Sequence, residues 1–345
     1  MRTILVVGGA GYIGSHMVQM LSEEGYDTVV LDNLSTGHRD AVQYGDLVLG
    51  HAGDPAIVTD VLTAYRIDAV MHFAALSQVG ASVANPASYY RNNVAETLNL
   101  LEGMRHHGIS KFVFSSTAAV YGQPDQLRIT EQTSTVPINP YGHSKLMVEQ
   151  MLNSYDQAYD MRYVALRYFN AAGADPKGRL GERHDPETHL IPLVLQTATG
   201  QRDAITIYGN DYPTEDGTCI RDYIHVRDLC RAHLLALEYL NSGASSEIFN
   251  LGNGEGFSVN EVIDTARRVT GRRILSINGP RRKGDPVRLV ADADRARCVL
   301  GWVPEFNDIE TIVADAWNWH LGSLLSRGGD AGGSGADVRL KIHGR

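Results

Sequence analysis

Tyr141 and Lys145 stand four residues apart, directly after Asn139-Pro140. Asparagine is a favourable N-cap and proline suits the first helical position, so the pattern predicts a helix beginning here. Positions i and i+4 share a helix face, which sets the Lys145 ammonium near the Tyr141 phenol. A nearby cation and the positive end of the helix dipole both favour phenolate, lowering the tyrosine pKa from about 10 toward neutrality. Tyr141 then reads as a general base. Such a pair also arises by chance on surface helices, so its company matters. Ser115-Ser116-Thr117 closes an apolar run 24 residues before the tyrosine. From there the Thr117 hydroxyl could bond the same substrate oxygen whose proton Tyr141 takes or returns.

A second constellation lies at the N-terminus. Gly8, Gly11 and Gly14 form a GxxGxxG after the run Thr3–Val7. A tight turn, a close backbone approach to a pyrophosphate and close helix-to-sheet packing all ask for glycine there, and the following helix N-terminus suits phosphate. Asp32 follows Gly14 by 18 residues, at the end of the next apolar run. A carboxylate in that place binds both hydroxyls of an adenine ribose and repels a 2′-phosphate, so the expected cofactor is NAD and not NADP. Gly53-Asp54 follows the third run, where the aspartate could bond the adenine amine. Phe73-Ala74-Ala75 ends the fourth, where small side chains let backbone run beside a dinucleotide.

The elements that must position these residues follow from periodicity. Strands are predicted at Thr3–Val7, Thr28–Leu31, Leu47–Gly50, Ala69–Phe73 and Lys111–Ser115, with helices at His16–Glu24, Ile57–Tyr65 and Asn93–His106 between them. This alternation predicts an α/β fold, a doubly wound parallel sheet of Rossmann type, with a smaller α/β substrate-binding lobe. Ala171–His189, rich in Gly, Asp, Pro and His and without period, is expected to be a functional loop. A helix over Val226–Tyr239, a strand over Ile248–Leu251 and a helix over Val259–Thr270 follow. The expected domains are 1–170 for NAD, 171–325 for substrate with some segments returning to the first, and a disordered glycine-rich tail over 326–345. No internal repeat is evident.

Composition narrows the function. The chain has 345 residues, 43% hydrophobic and 21% charged, which suits about two globular domains. Its formal net charge of −9 opposes nonspecific nucleic-acid binding, so no nucleic-acid partner is expected. No apolar run approaches the roughly 20 residues of a membrane span, and the N-terminus is a poor signal peptide. Cys219, Cys230 and Cys298 have neither CxxC spacing nor an even count. They are expected to be reduced thiols of a cytoplasmic protein, with no metal site.

The glycine turn, Asp32, Ser115-Ser116-Thr117-Ala118-Ala119-Val120-Tyr121-Gly122 and the Tyr141–Lys145 pair resemble the extended short-chain dehydrogenase/reductases. Within them the chain closely resembles the UDP-glucose (UDP-galactose) 4-epimerases over about residues 2–320. The most specific stretches are Tyr168 to Gly173, Tyr208 to Val226 and Arg281-Arg282-Lys283-Gly284-Asp285. The resemblance implies catalysis by Thr117, Tyr141 and Lys145. It implies NAD contacts from Tyr12, Ile13, Asp32, Asn33, Ser35, Thr36, Gly37, Asp54, Phe73, Ala74, Ala75, Asn92 and Lys145, beside Gly8, Gly11 and Gly14. For a UDP-hexose substrate it implies Asn170, Tyr208, Arg221, Arg282 and Asp285, with Leu289 against the sugar's C2 substituent. Guanidinium groups suit a diphosphate. It also implies a homodimer that pairs Asn93–His106 and Gly142–Tyr155 of each subunit in a four-helix bundle.

Departures from relatives are Val7 in place of a threonine, Ser77 where some carry lysine, Thr117 for serine, and Leu289 where some carry tyrosine. Sugar-nucleotide 4,6-dehydratases place Asp-Glu after the Ser/Thr, and nucleotide-sugar decarboxylases need an acid there, whereas this chain has Ala118 and Ala119. A non-catalytic NAD-sensing regulator typically loses the Tyr or the Lys. A plain NAD-dependent dehydrogenase shares the hydride chemistry and would release NADH. Action on UDP-N-acetylhexosamines or UDP-uronates stays open.

Overall fold

The computed structural model describes residues 2–282 and 285–329. Its central sheet has seven strands: β1 (Thr3–Val7), β2 (Asp27–Asp32), β3 (Asp46–Leu49), β4 (Ile67–His72), β5 (Lys111–Ser115), β6 (Arg162–Tyr168) and β7 (Glu247–Leu251). They run parallel in the order β7-β6-β5-β4-β1-β2-β3. Both faces are covered, which is why apolar residues run almost unbroken through the strand centres, as in Ile4–Val7 and Phe112–Phe114. Ile4 and Val6 pack with Met17, Val18 and Leu21 of helix α1 (Tyr12–Glu23). Leu5 and Val7 pack on the other face with Leu100, Phe112 and Val148.

Strand order reverses at β1. Val7 pairs with Leu31 of β2 on one side and with His72 of β4 on the other. Loops leaving β1 and β4 therefore part in opposite directions and open a crevice at the carboxyl ends of the strands. Three more helices cover the sheet face that carries Leu5 and Val7: α2 (Pro55–Ala64), α3 (Glu96–His106) and α4 (Pro140–Tyr159).

A smaller lobe closes over the crevice. Helices Leu190–Ala198, Val259–Thr270 and Ile309–Gly329 pack around Ile191, Val194, Ile205, Ile263 and Ile312. Strand Ile205–Tyr208 pairs in parallel with Ser276–Gly279. The chain returns to the main sheet between these parts. Helix Val226–Asn241 buries Leu229 and Leu237 in the first core, and β7 pairs with β6 from Glu247↔Val164 to Leu251↔Tyr168.

Some boundaries differ from expectation, for local reasons. Helix α1 starts at Tyr12 and not His16, because the glycine turn leads straight into it. Helix α2 starts at Pro55 because Asp54 caps it. Asn93–His106 is not one regular helix: a π-helical turn spans Tyr90–Ala95 and α3 continues from Glu96. Residues 326–329, expected in the tail, form the last turn of helix Ile309–Gly329, and 330–345 lie outside the described residues. No helix among the described residues is long and apolar enough to cross a membrane. Cys219 and Cys230 are buried, Cys298 is exposed, and all three are free thiols.

Candidate active site

A cavity of about 1420 Å³ runs from the glycine turn to the small lobe. At one end Gly8 adopts φ +82°, and a Cβ there would lie 2.4 Å from the Ala74 nitrogen. A Cβ at Gly14 would lie 2.1 Å from the Gly8 carbonyl oxygen. These contacts bring the ends of β1 and β4 and the start of α1 together, as only glycine permits. Gly11 caps α1 without a side-chain acceptor, which leaves the first helical turn suited to an anion. Asp32 accepts from the Ala10 N–H at 2.9 Å and the Leu34 N–H at 2.8 Å, and it lines the cavity. Its carboxylate is thus fixed where a ribose would meet it. The cradle, the acid and the small Ala74-Ala75 floor fit NAD.

Gly8, Gly11, Tyr12, Ile13, Gly14, Asp32, Asn33, Ser35, Thr36, Phe73, Ala74, Ala75 and Asn92 all line this cavity. Gly37 and Asp54 do not. Gly37 lies under the turn, where a Cβ would sit 2.9 Å from the Ala10 carbonyl carbon. Asp54 precedes Pro55 and spends Oδ1 on the Ala56 N–H at 2.9 Å, so its side chain serves as a helix cap.

Thr117, Tyr141 and Lys145 meet in mid-cavity. Asn139 caps α4 by accepting from the Gly142 N–H at 2.9 Å, which places Tyr141 in the first turn. The Lys145 Nζ donates to the Ser115 carbonyl at 2.8 Å and lies 4.8 Å from the centre of the Phe114 ring. Burial lowers the Lys145 pKa to about 7, against the pull of Glu149. The Tyr141 pKa is raised by burial, opposed by a hydrogen bond with Thr117. This corrects the expectation that the Lys145 ammonium and the helix dipole bring the Tyr141 pKa down toward neutrality. In the protein itself desolvation dominates, and the ammonium is directed at Ser115.

Beneath the pair lies a buried network that the sequence reading did not find. Glu149 accepts from Arg167 at 2.6 Å (Nη2) and 3.0 Å (Nε) and from the Ser116 hydroxyl. Arg167 also donates to the Tyr121 hydroxyl at 2.9 Å, which donates to Asn250 at 2.7 Å. Tyr141, Lys145 and Glu149 continue one four-residue spacing along α4, and that was the available signal. Asn93, in the π turn, adds a second tie by donating to the Ser144 hydroxyl at 3.0 Å.

Toward the small lobe the cavity is lined by Asn170, Tyr208, Arg221, Arg282, Asp285 and Leu289. The Arg221 guanidinium donates to the carbonyls of Ile220 at 2.8 Å and Pro286 at 2.9 Å and stands 3.7 Å from Asp285. Arg282 covers the Tyr208 ring at 4.0 Å. Another group came to light in the 171–189 loop. Glu182, His184, Glu187 and His189 line the cavity, with donor atoms within 4.8 Å of one another. Burial would raise the Glu182 pKa, but His189 and His184 outweigh it and hold Glu182 near 2. Burial would lower the His184 pKa, but Glu182 and Glu187 outweigh it and hold His184 near 10. Glu182 likewise raises the His189 pKa. The spacing would also accommodate a metal ion.

Residues 4–252 match the model of the NAD dependent epimerase/dehydratase family. A UDP-glucose 4-epimerase of Halalkalibacterium halodurans is 54% identical over 92% of this chain and 95% of its own. The chain belongs to this family, among its UDP-glucose 4-epimerases. Family members of known structure share the whole architecture. A UDP-glucose 4-epimerase from Brucella ovis in complex with NAD is 50% identical, with a TM-score of 0.91 over 93% of this chain and 99% of that one. One from Bifidobacterium longum in complex with NAD+ and UDP is 39% identical, with a TM-score of 0.89 over 94% and 99%. The family is NAD-dependent.

Proposed function

We propose that the chain interconverts UDP-glucose and UDP-galactose by inverting C4 of the hexose through a 4-keto intermediate, in the cytoplasm. The observation that carries this is the placement of Tyr141 and Thr117 in mid-cavity, with the dinucleotide cradle on one side and Arg221 and Arg282 on the other. NAD, when bound, would supply a hydride acceptor and donor for C4 and a positive nicotinamide charge that favours phenolate. Gly8, Gly11, Gly14 and Asp32 hold that cofactor.

Tyr141 as phenolate takes the proton of the 4-hydroxyl as the hydride leaves C4, giving a ketone. Thr117 donates a hydrogen bond to the same oxygen. Tyr141 returns the proton once the ketopyranose has turned about its diphosphate link and C4 has regained its hydride. Lys145, fixed on the Ser115 carbonyl, stands one helical turn from the phenol and adds positive charge. Arg221 and Arg282 anchor the diphosphate while the sugar turns. Water loss is disfavoured because Ala118 and Ala119 offer no acid.

The direct test is to incubate the purified protein with UDP-galactose, without added NAD, and to resolve the products. UDP-glucose is the expected product. Stoichiometric NADH with a keto or acid product would indicate a dehydrogenase instead. We further infer a homodimer through α3 and α4, whose Leu98 and Met147 side chains are exposed. Light scattering giving a monomer at micromolar concentration would contradict it.

A further inference from the structure

Asp222 occupies a junction that no part of the mechanism above uses. Before it, strand Ile220–Arg221 pairs with Arg288–Leu289. After it, Tyr223–His225 pairs with Asn170–Ala172. Its own backbone joins the two: the Asp222 N–H donates to the Leu289 carbonyl at 3.1 Å, and its carbonyl accepts from the Asn170 N–H at 3.0 Å. Three cavity-lining residues, Asn170, Arg221 and Leu289, are therefore bonded to this residue or adjacent to it.

The side chain turns the other way and is completely buried. Oδ1 accepts from the Asn253 N–H at 2.8 Å, and Oδ2 from the N–H groups of Gly254 at 3.1 Å and Ala291 at 3.0 Å. All three donors are backbone, and they come from two separate segments. Burial lifts the carboxyl pKa to about 6 in spite of these bonds. Holding a carboxylate here is thus costly, and a neutral group would cost less if packing were its only role.

We propose that Asp222 is a positioning residue, whose carboxylate clamps the 253–254 turn and Ala291 so that Arg221, Asn170 and Leu289 are held at the spacing a UDP-hexose requires. It touches no substrate. This inference rests on the UDP-hexose assignment of the cavity.

Two variants test it from opposite sides. Asp222→Asn keeps the volume but turns two amide hydrogens toward backbone donors. Gly252→Ala leaves the carboxylate in place and pushes on it, since a Cβ there would lie 2.4 Å from Oδ2. For each variant that folds with NAD bound, the KM for UDP-galactose should rise about tenfold or more, while kcat per bound NAD stays within about threefold. A merely structural role would lower thermal stability and the NAD-loaded fraction and leave KM unchanged. That result would overturn the proposal.

If neither variant folds, amide exchange in the intact protein decides by reciprocity. UDP should slow exchange at Asn253, Gly254 and Ala291, and unchanged rates there would overturn the proposal. Absence of both turnover and UDP binding in the unaltered protein would instead sink the UDP-hexose assignment itself.

Discussion

The chemistry at C4 is assigned to one phenol, and Tyr141→Phe removes its proton acceptor while keeping the buried ring. Loss of a general base costs about 10²–10⁴-fold. We expect kcat to fall by that factor with UDP affinity unchanged by calorimetry, and near-normal turnover would eliminate Tyr141 as the base. We infer that Leu289 sets sugar scope. It lines the cavity, packs against the cluster of Val120 and Phe169, and offers no donor or acceptor to an acetamido group. A buried amide without a partner costs about 1–3 kcal/mol. UDP-glucose and UDP-galactose should therefore be strongly preferred, with weak but detectable turnover of the N-acetylated pair. Leu289→Ser should raise that activity and Leu289→Tyr abolish it; equal kcat/KM for both sugar pairs in the unaltered protein would remove Leu289 as the gate. Tyr141 and Lys145 were legible because one helical turn links them. The raised Tyr141 pKa was not, because burial depends on residues distant in sequence.

Among the elements, α4 carries Tyr141 and Lys145 and is held by charge from below. Glu149 and Arg167 form a buried ion pair joining α4 to β6, with side-chain exposures of 3% and 6%. Removing one partner of such a pair costs about 3–5 kcal/mol, since the other is left buried and charged. Glu149→Gln should lower unfolding stability in urea by about that amount, and a change below about 1 kcal/mol would show that the pair is dispensable. Strands β1 to β5 were readable from apolar runs broken by glycine and polar turns. The Tyr90–Ala95 π turn was not, because its register is tied by Asn93 to Leu76 and Ser144, partners that local periodicity cannot reveal. The place of β7 was also hidden. The helix that follows it, Val259–Thr270, serves the small lobe, and the pairing with β6 assigns β7 to the main sheet.

For the whole molecule, three buried histidines should make the fold acid-sensitive. Burial lowers the pKa of His16 and His233 to about 4 and of His72 to about 3. Each binds its proton less readily when folded than when unfolded, so its contribution is present above about pH 6.5 and is lost as pH falls through 4. Asp222, Glu131 and Asp228, whose carboxyl pKa values burial raises, act in the opposite sense, while Glu182 and Asp175, held near 2, add to the loss in acid. The melting temperature should therefore fall steadily from pH 6.5 to 4, and a flat profile would contradict the neutral burial of these rings. The cofactor arm makes a separate demand. A reaction that regenerates its NAD has no need to exchange it, so denatured protein should release about one dinucleotide per chain. The most direct test of the account is the fate of the C4 hydrogen. Protein as purified, given UDP-galactose deuterated at C4, should yield UDP-glucose with the deuterium still at C4 and no NADH in solution. Loss of the label to solvent, or its appearance in released NADH, would contradict a hydride that leaves and returns within one bound complex.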